Sequence, residues 1–194
     1  LRTRRQRQMC IRDSHHSLKR QGESAFFSPG SEGNISPVMQ AWVAGLIETM
    51  PAAVSYLCPT INAFRRLREF SAPPVTPTWG VDNRSTALRL VTRSPGAARI
   101  EHRLGSADPN PYLGLAVLLA GGLAGYRHKL TPPPELKSLG WGLPDTYQRL
   151  PNTITTAADT LQRDTLLREI LGGEEVDYWV KSRKWEWFLF HTEG

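Results

Sequence analysis

The stretch RIEHRL, residues 99–104, has the alternating pattern of a β-strand with two different faces. Side chains of a β-strand point alternately to opposite faces, so this stretch sorts its residues into two sets. One face carries Arg99, Glu101 and Arg103, and the other carries Ile100, His102 and Leu104. Two interpretations of the charged face stay open at this point. It is either a solvated face with incidental ion pairs, or a site that holds a polyanion and a metal ion.

The residues just before this strand predict an antiparallel partner for it. TALRLV, residues 86–91, alternates in the same way, and TRSPGA, residues 92–97, contains the serine, proline and glycine typical of turns. A hairpin of these two strands would place Arg89 beside the charged face, because cross-strand neighbours share a face.

Helices are predicted on both sides of this hairpin. SPVMQAWVAGLIETMP, residues 36–51, has Ser36 as an N-cap and Pro51 as its predicted end, with a second helical stretch over 52–58. DPNPYL, residues 108–113, begins a helix of about 16 residues capped by Asp108 or Asn110, by the usual start signals. Further helices are predicted over 153–163, 164–171 and 174–190, an extended chain over the proline-rich residues 71–80, and a loop over 129–144. Without a regular βαβ alternation, this mixture indicates the α+β class.

The net charge of +6 is a property of one end of the 194-residue chain. Residues 1–12 contain five arginines and no acid, and subtracting these five charges leaves +1. A basic face for nucleic acid is therefore not supported. We expect residues 1–13 to be a tail or a foreign junction and residues 14–194 to form the fold. No run of 18 apolar residues predicts a membrane span, and two cysteines without a metal spacing favour a cytoplasmic location.

Four motifs follow one another in an order typical of a known family. They are SPVMQAWVAGLIETMPAAVSYLCPTINAFRRL, WGVDNRSTALRLV, ARIEHRLGSADPNPYL and RLPNTITTAADTLQRDTLLREILGGEEVDYWVKSRKWEW. Over about residues 14–190 the chain resembles the C-terminal part of the glutamine synthetase catalytic domain. The resemblance implies a curved antiparallel sheet flanked by helices, and the ATP-dependent ligation of L-glutamate to ammonia through a γ-glutamyl phosphate. It also implies Mg²⁺ or Mn²⁺, a homo-oligomer for the full-length protein, and an inactive fragment when this part stands alone.

The resemblance assigns expected roles to seven residues. The assigned roles are phosphoryl stabilisation for Arg84, glutamate binding for Arg66 and Arg103, nucleotide binding for His15, Ser17 and Arg89, and metal binding for Glu101. Arginines suit this chemistry because phosphoryl transfer depends mainly on positioning and charge neutralisation. Two exposed histidines without a role are the alternative for His15 and His16.

The chain departs from the family pattern at several places. Ser71 stands about where many members have a glutamate that helps to deprotonate ammonium, and Glu69 lies two residues early. WGVDNR is closer to the branch that joins glutamate to amines, and Trp79 is expected either to pack on such an amine or to belong to the core. The first histidine of the family's H-x-H pattern falls on Asp13. A γ-glutamyl ligase for polyamines or other amines is therefore an alternative, and a catalytically inactive relative is another.

Overall fold

A small mixed sheet packed against helices forms the molecule, and the computed structural model describes residues 13–192. The strands are β1 Ser14–His16, β2 Lys19–Arg20, β3 Glu23–Ser24, β4 Trp79–Val81, β5 Leu88–Val91 and β6 Arg99–His102. The α-helices are α1 Pro37–Leu57, α2 Ile61–Phe64, α3 Pro111–Arg127, α4 Ile154–Arg163, α5 Thr165–Leu171 and α6 Gly173–Thr192. The predicted α+β class is confirmed. Residues 1–12 of the predicted tail lie outside the described residues.

The predicted hairpin is confirmed as the centre of a four-stranded sheet with the spatial order β1-β6-β5-β4. Strands β5 and β6 are antiparallel with Arg89 opposite Glu101, and β1 is antiparallel to β6 with His15 opposite Glu101. The pair of β4 and β5 is parallel, unlike the antiparallel pairing that the resemblance implies for the whole sheet. Residues 82–87 form a compact loop that carries the chain back to the start of β4, so both strands run in the same direction.

Helix α1 continues six residues beyond its predicted end at Pro51, to Leu57. Proline removes one helical hydrogen bond and normally ends or kinks a helix. Here Pro51 lies inside a helix whose residues on either side, such as Met50 and Val54, are fully buried in the core. Burial of the helix therefore outweighs the local preference for a stop, since tertiary packing supplies most helical stability in proteins.

The other predicted helices are confirmed with small changes at their ends. Asn110 caps α3, and its side chain accepts hydrogen bonds from the backbone N–H groups of Tyr112 and Leu113. Helices α4, α5 and α6 occupy the three C-terminal ranges that the sequence predicts. No helix within residues 13–192 is long and apolar enough to cross a membrane.

The sheet separates an apolar layer from a charged one. Leu88, Leu90 and Ile100 are almost completely buried in the same hydrophobic cluster as α1 and the C-terminal helices. Arg89 and Glu101 alternate with these residues and therefore occupy the opposite face. The sheet therefore has one charged face and one face of apolar side chains that are buried in the core.

Candidate active site

The centre of the charged face is a chain of ion pairs across neighbouring strands. The Nη1 atom of Arg89 lies 2.8 Å from Oε2 of Glu101, and its Nη2 atom lies 2.9 Å from Oδ1 of Asp82. The Nε atom of Arg103 lies 3.7 Å from Oε1 of Glu101. The side chains of Arg89, Glu101 and Arg103 are only 15%, 10% and 10% exposed. This face is therefore a largely desolvated charge network and not a solvated surface with incidental pairs.

Arg103 connects two further segments of the chain to this network. Its Nη1 atom donates to the carbonyl of Thr86 at 3.1 Å, and its Nη2 atom donates to the carbonyl of Ala72 at 3.4 Å. Burial lowers the pKa of Arg103, while the nearby carboxylates of Asp13 and Glu101 act in the opposite direction. Arg99 shares the strand face, but it donates to the carbonyl of Ala97 in the adjoining turn.

Two further predicted arginines, Arg66 and Arg84, lie within electrostatic reach of this network. Arg66 is half-buried, and its Nη1 atom donates to the carbonyl of Gly105 at 3.1 Å. Its charge acts on Asp13, whose pKa is raised first by burial and then by Glu101. Arg84 is exposed, and its charge is among those that lower the pKa of Arg103. Arg66 and Arg84 therefore belong to the electrostatic surroundings of the network that Arg89 and Arg103 form.

The two predicted residues of the first strand segment lie at one side of the site. His15 is exposed and stands directly opposite Glu101 on β1. Ser17 is exposed just after β1, and it lines a pocket between the β2–β3 hairpin and the turn at Pro95 and Gly96. His16 points elsewhere, since its Nε2 atom accepts a hydrogen bond of 3.1 Å from Trp42.

Comparison with known proteins identifies the family of this chain. The glutamine synthetase catalytic domain matches residues 13–193. This chain belongs to the glutamine synthetase catalytic-domain family.

Relatives of this glutamine synthetase-family chain differ in the activity that their names state. It is 34% identical to type-1 glutamine synthetase 2 of Dictyostelium discoideum over 89% of this chain and 33% of the relative. It is 32% identical to glutamine synthetase of Thermus thermophilus over 90% of this chain and 40% of that protein. It is also 32% identical to gamma-glutamylanilide synthase of an Acinetobacter species, over 84% of this chain and 33% of that protein.

Solved structures support the same relationship. Ligand-free GmaS matches with a TM-score of 0.80 and 28% identity, over 93% of this chain and 41% of GmaS. The ADP complex of GmaS matches with a TM-score of 0.81 and 28% identity, over 93% of this chain and 43% of GmaS. The glutamine synthetase-family chain thus spans between a third and somewhat over two fifths of the length of these relatives.

The residues of this glutamine synthetase-family chain do not by themselves fit a metal ion. Within residues 13–192, no three histidine, cysteine or acidic side chains converge to hold one. Both carboxylate oxygens of Glu101 face arginines. Because magnesium prefers about six oxygen ligands, Glu101 alone is insufficient to hold this ion.

The side chains of Ser71 and Glu69 are bonded within their own loop and to the segment 142–149. The Oγ atom of Ser71 donates to the carbonyl oxygens of Arg66 and Arg68. The carboxylate of Glu69 accepts from the backbone N–H of Gly142 at 2.6 Å and pairs with Arg149 at 2.7 Å. Neither side chain is directed to the charged strand face.

Trp79 of this glutamine synthetase-family chain belongs to the core. Its side chain is buried, and its Nε1 atom donates to the carbonyl of Pro133 at 2.8 Å. Of the two expectations for this residue, the structure supports core packing over contact with an amine.

The sequence did not single out Asp82, although it completes the network. Its two carboxylate oxygens bind Arg89 and Arg93 at 2.9 and 3.0 Å. Burial acts to raise the pKa of Asp82, but the hydrogen bonds from these two arginines lower it overall. The one signal available in the sequence was an acidic residue directly before the NRS motif.

Proposed function

We propose that this chain is part of an ATP-dependent γ-glutamyl ligase that joins L-glutamate to an amine. The observation that supports this proposal best is the alternating charge network of Arg89, Glu101 and Arg103 on one sheet face, in a chain of the glutamine synthetase family. A structural relative without activity would gain little from this network, because largely buried ion pairs rarely stabilise a fold. The ADP complex of GmaS is consistent with nucleotide use on this fold.

The proposed reaction has two steps, and the arginines act in both. An oxygen of the γ-carboxylate of glutamate attacks the γ-phosphorus of ATP, and ADP leaves. The amine nitrogen then attacks the acyl carbon of γ-glutamyl phosphate, the carbon–oxygen bond to phosphate breaks, and the nitrogen loses a proton. Positive groups fixed in advance around the transferring phosphoryl group lower this barrier, since they stabilise charge without reorganising.

We assign the described residues to these steps as follows. Arg66 and Arg103 bind the carboxylates of glutamate, where bidentate guanidinium contacts fix the orientation of the substrate. Arg84 is exposed at the edge of the network and stabilises the transferring phosphoryl group. Arg89, His15 and Ser17 bind the nucleotide. Glu101 is the proposed contribution of this chain to a metal site whose remaining ligands would come from elsewhere.

An amine is preferred over ammonia as the acceptor because of the loop at Ser71. Ammonium must lose a proton before it can attack, and a carboxylate near the acyl phosphate would promote this loss. Ser71 carries no charge and bonds to its own loop, and Glu69 is paired with Arg149. An aliphatic amine must also lose a proton, but its carbon chain can supply binding energy that offsets the weak base and that ammonia lacks. Ammonia is the second candidate, because the names of several relatives are those of glutamine synthetases.

The test is ATP-dependent phosphate release by the full-length protein in the presence of glutamate. Ammonium, putrescine and ethanolamine are compared as acceptors, and turnover with an amine is expected to exceed turnover with ammonium. Arg84→Gln is expected to abolish turnover, whereas Arg93→Gln is the matched control, because Arg93 is 76% exposed and contacts only Asp82 within the network. Turnover with ammonium alone would support glutamine synthesis, and no glutamate-dependent release with any acceptor would contradict the ligase. A homo-oligomer and a cytoplasmic location stay predictions.

A further inference from the structure

Phe70 has an unusual conformation for an aromatic residue. Its φ is 59°, in the left-handed region that bulky side chains rarely adopt. Its side chain is also 76% exposed, although most large aromatic side chains are buried. A strained backbone that displays an apolar ring to solvent requires support from its surroundings, and such sites cluster at ligand-binding positions.

The two neighbours of Phe70 supply this support. On one side, Glu69 binds the backbone N–H of Gly142 and the guanidinium of Arg149. On the other side, the carbonyl of Ser71 accepts a hydrogen bond of 3.1 Å from Nε1 of Trp141. The loop is thus attached at both sides of Phe70 to the segment 141–149, and the ring borders Gly142 but lies mostly in solvent.

The position of the ring relates it to the proposed active site. Arg103 donates to the carbonyl of Ala72, two residues from Phe70. On the facing segment, the ring packs beside Gly142, where an added Cβ atom would lie 3.5 Å from Cζ of Phe70. The residue just before that segment is bonded to the loop of Arg84, because the N–H of Gly140 donates to Oγ of Ser85 at 2.8 Å. Phe70 therefore lies on a rim that connects the arginine proposed for glutamate with the arginine proposed for the phosphoryl group.

We propose that Phe70 determines the acceptor specificity of this site and selects an aromatic primary amine. The inference rests on the proposed ligase function and names its substrate class. An exposed ring binds another ring in an offset-stacked or edge-to-face geometry, and ammonia has no surface for such contact. An aromatic amine is also largely unprotonated at neutral pH, so it needs no carboxylate in this loop to remove a proton before attack.

The chemistry of this acceptor is complete with the groups already named. The lone pair of the neutral amine attacks the acyl carbon of γ-glutamyl phosphate, and a carbon–nitrogen bond replaces the carbon–oxygen bond to phosphate. The proton on nitrogen leaves to the released phosphate or to water. No oxidant, reductant or further co-reactant is required.

The experiment measures KM and kcat of the full-length protein for aniline, methylamine and ammonium with saturating ATP and glutamate. Phe70→Asn removes the ring and keeps a residue that tolerates the left-handed backbone. The KM for aniline is expected to rise about fivefold, as for the loss of one aromatic pair, with kcat within about twofold. The KM values for methylamine and ammonium are expected to stay unchanged. Phe70→Tyr keeps the ring and is expected to retain the wild-type KM for aniline.

Tyr178→Ala is the control for loss of an exposed aromatic ring elsewhere, because Tyr178 lies on α6 and is about as exposed as Phe70. An equal rise of KM for all three acceptors in Phe70→Asn would overturn the proposal, since it would indicate a disturbed loop. An unchanged KM for aniline, as expected if another part of the protein covers the ring, would overturn it too. In both cases turnover by the wild type would leave the ligase function intact. Absence of turnover with every acceptor in the wild type would overturn both proposals.

Discussion

Arg89 is held between two carboxylates that come from different strands of the sheet. Asp82 follows β4 with a positive φ of 50°, and Glu101 lies on β6 on the other side of Arg89. Burial acts to lower the pKa of Arg89, but the ion pairs with Asp82 and Glu101 raise it overall. The guanidinium therefore has a fixed direction as well as a fixed charge, and Asp82 acts on the proposed nucleotide site as a positioning residue.

Replacing Asp82 by asparagine tests this role. Asp82→Asn keeps the side-chain shape and the tolerance for positive φ but removes the charge that anchors Arg89. The KM for ATP is expected to rise about tenfold, the size of one charge-assisted hydrogen bond, with kcat nearly unchanged. Steady-state kinetics against ATP and against glutamate separate the two substrates.

Arg93→Gln is the matched control for this variant, because Arg93 contacts the other oxygen of Asp82 and makes no ion pair with Glu101. The control is expected to retain the wild-type KM for ATP. If Asp82→Asn raised the KM for glutamate as much as that for ATP, the nucleotide-specific role of Asp82 would be wrong.

A second residue-scale feature is the pair of histidines beneath the sheet. His102 is completely buried, and within residues 13–192 neither of its ring nitrogens has a hydrogen-bond partner. Burial, followed by the charge of His16, lowers its pKa to about 3. Burial, followed by the charge of His15, lowers the pKa of His16 to about 4. Both histidines are therefore neutral in the folded protein at neutral pH.

These pKa values predict acid destabilisation. In the unfolded chain these histidines have the ordinary pKa of 6.5, so below pH 6.5 the unfolded state binds protons that the folded state does not bind. Their contribution to the free energy of unfolding is therefore fully present above pH 6.5 and is lost as the pH falls towards 4. Each histidine contributes a slope of up to about 1.4 kcal/mol per pH unit to the free energy of unfolding. Urea unfolding between pH 7 and about 5, above the range in which carboxylates titrate, measures this slope. His102→Leu is expected to reduce it. Equal slopes in the wild type and in His102→Leu would contradict the assignment.

The charged face could be predicted from sequence because strand alternation depends only on local spacing. Arg89, Glu101 and Arg103 were therefore placed together correctly. Asp82 could not be predicted, since its contact depends on the path of residues 82–87 back to β4. The core position of Trp79 depends on the distant loop at Pro133, which no local pattern reveals.

At the scale of elements, α1 and α3 touch backbone to backbone through glycines. A Cβ atom added at Gly45 would lie 2.1 Å from the carbonyl oxygen of Gly121, and one added at Gly125 would lie 2.1 Å from the carbonyl oxygen of Ala41. Such distances leave no room for a methyl group, and the neighbouring atoms are backbone atoms that cannot rotate away. The close approach of these helices therefore requires glycine on both sides.

Two alanine substitutions in α3 separate packing from helix propensity. Gly125→Ala is expected to destabilise the fold by about 3 kcal/mol or more, because it forces the helices apart. Gly114→Ala is the matched control, since its Cβ would be 3.9 Å from the nearest side chain, in ordinary contact. It is expected to stabilise by about 0.5–1 kcal/mol through better helix propensity. Thermal unfolding followed by circular dichroism compares them, and similar effects of both substitutions would refute the packing explanation.

Helix ends followed local rules except where packing opposed them. Asn110 predicted the start of α3, because capping is a contact between residues that are close in sequence. Pro51 predicted a stop that did not occur, because the surrounding helix is buried. The parallel pairing of β4 with β5 could likewise not be predicted from local sequence patterns, since the direction of a strand depends on the path of the connecting loop.

At the scale of the molecule, one hydrophobic cluster joins the sheet to the C-terminal helices. The ring of Trp179 on α6 stacks on Tyr56 of α1 with centroids 4.6 Å apart, and its Nε1 atom donates to Oγ of Ser55. The guanidinium of Arg183 also lies over the ring of Trp179, with its Cζ atom 4.4 Å from the ring centroid. The same cluster includes Ile100 below the charged strand face. The sheet with its charged face and the C-terminal helices therefore pack against the same hydrophobic cluster.

This continuity predicts one cooperative unfolding transition. Leu161→Ala in α4 and Ile100→Ala in β6 each truncate a fully buried side chain of the cluster, one on a helix and one on the sheet. Each is expected to cost about 2–5 kcal/mol and to shift the whole transition, because the elements cannot lose their shared core separately. Guanidinium unfolding followed by far-ultraviolet circular dichroism and by tryptophan fluorescence should give coincident curves in both variants. Leu139→Ala, at an exposed loop position, is expected to shift them by less than about 0.5 kcal/mol. If the two signals had different midpoints in Leu161→Ala, the elements would not unfold as one unit, and the charged face would not share a cooperative core with the C-terminal helices.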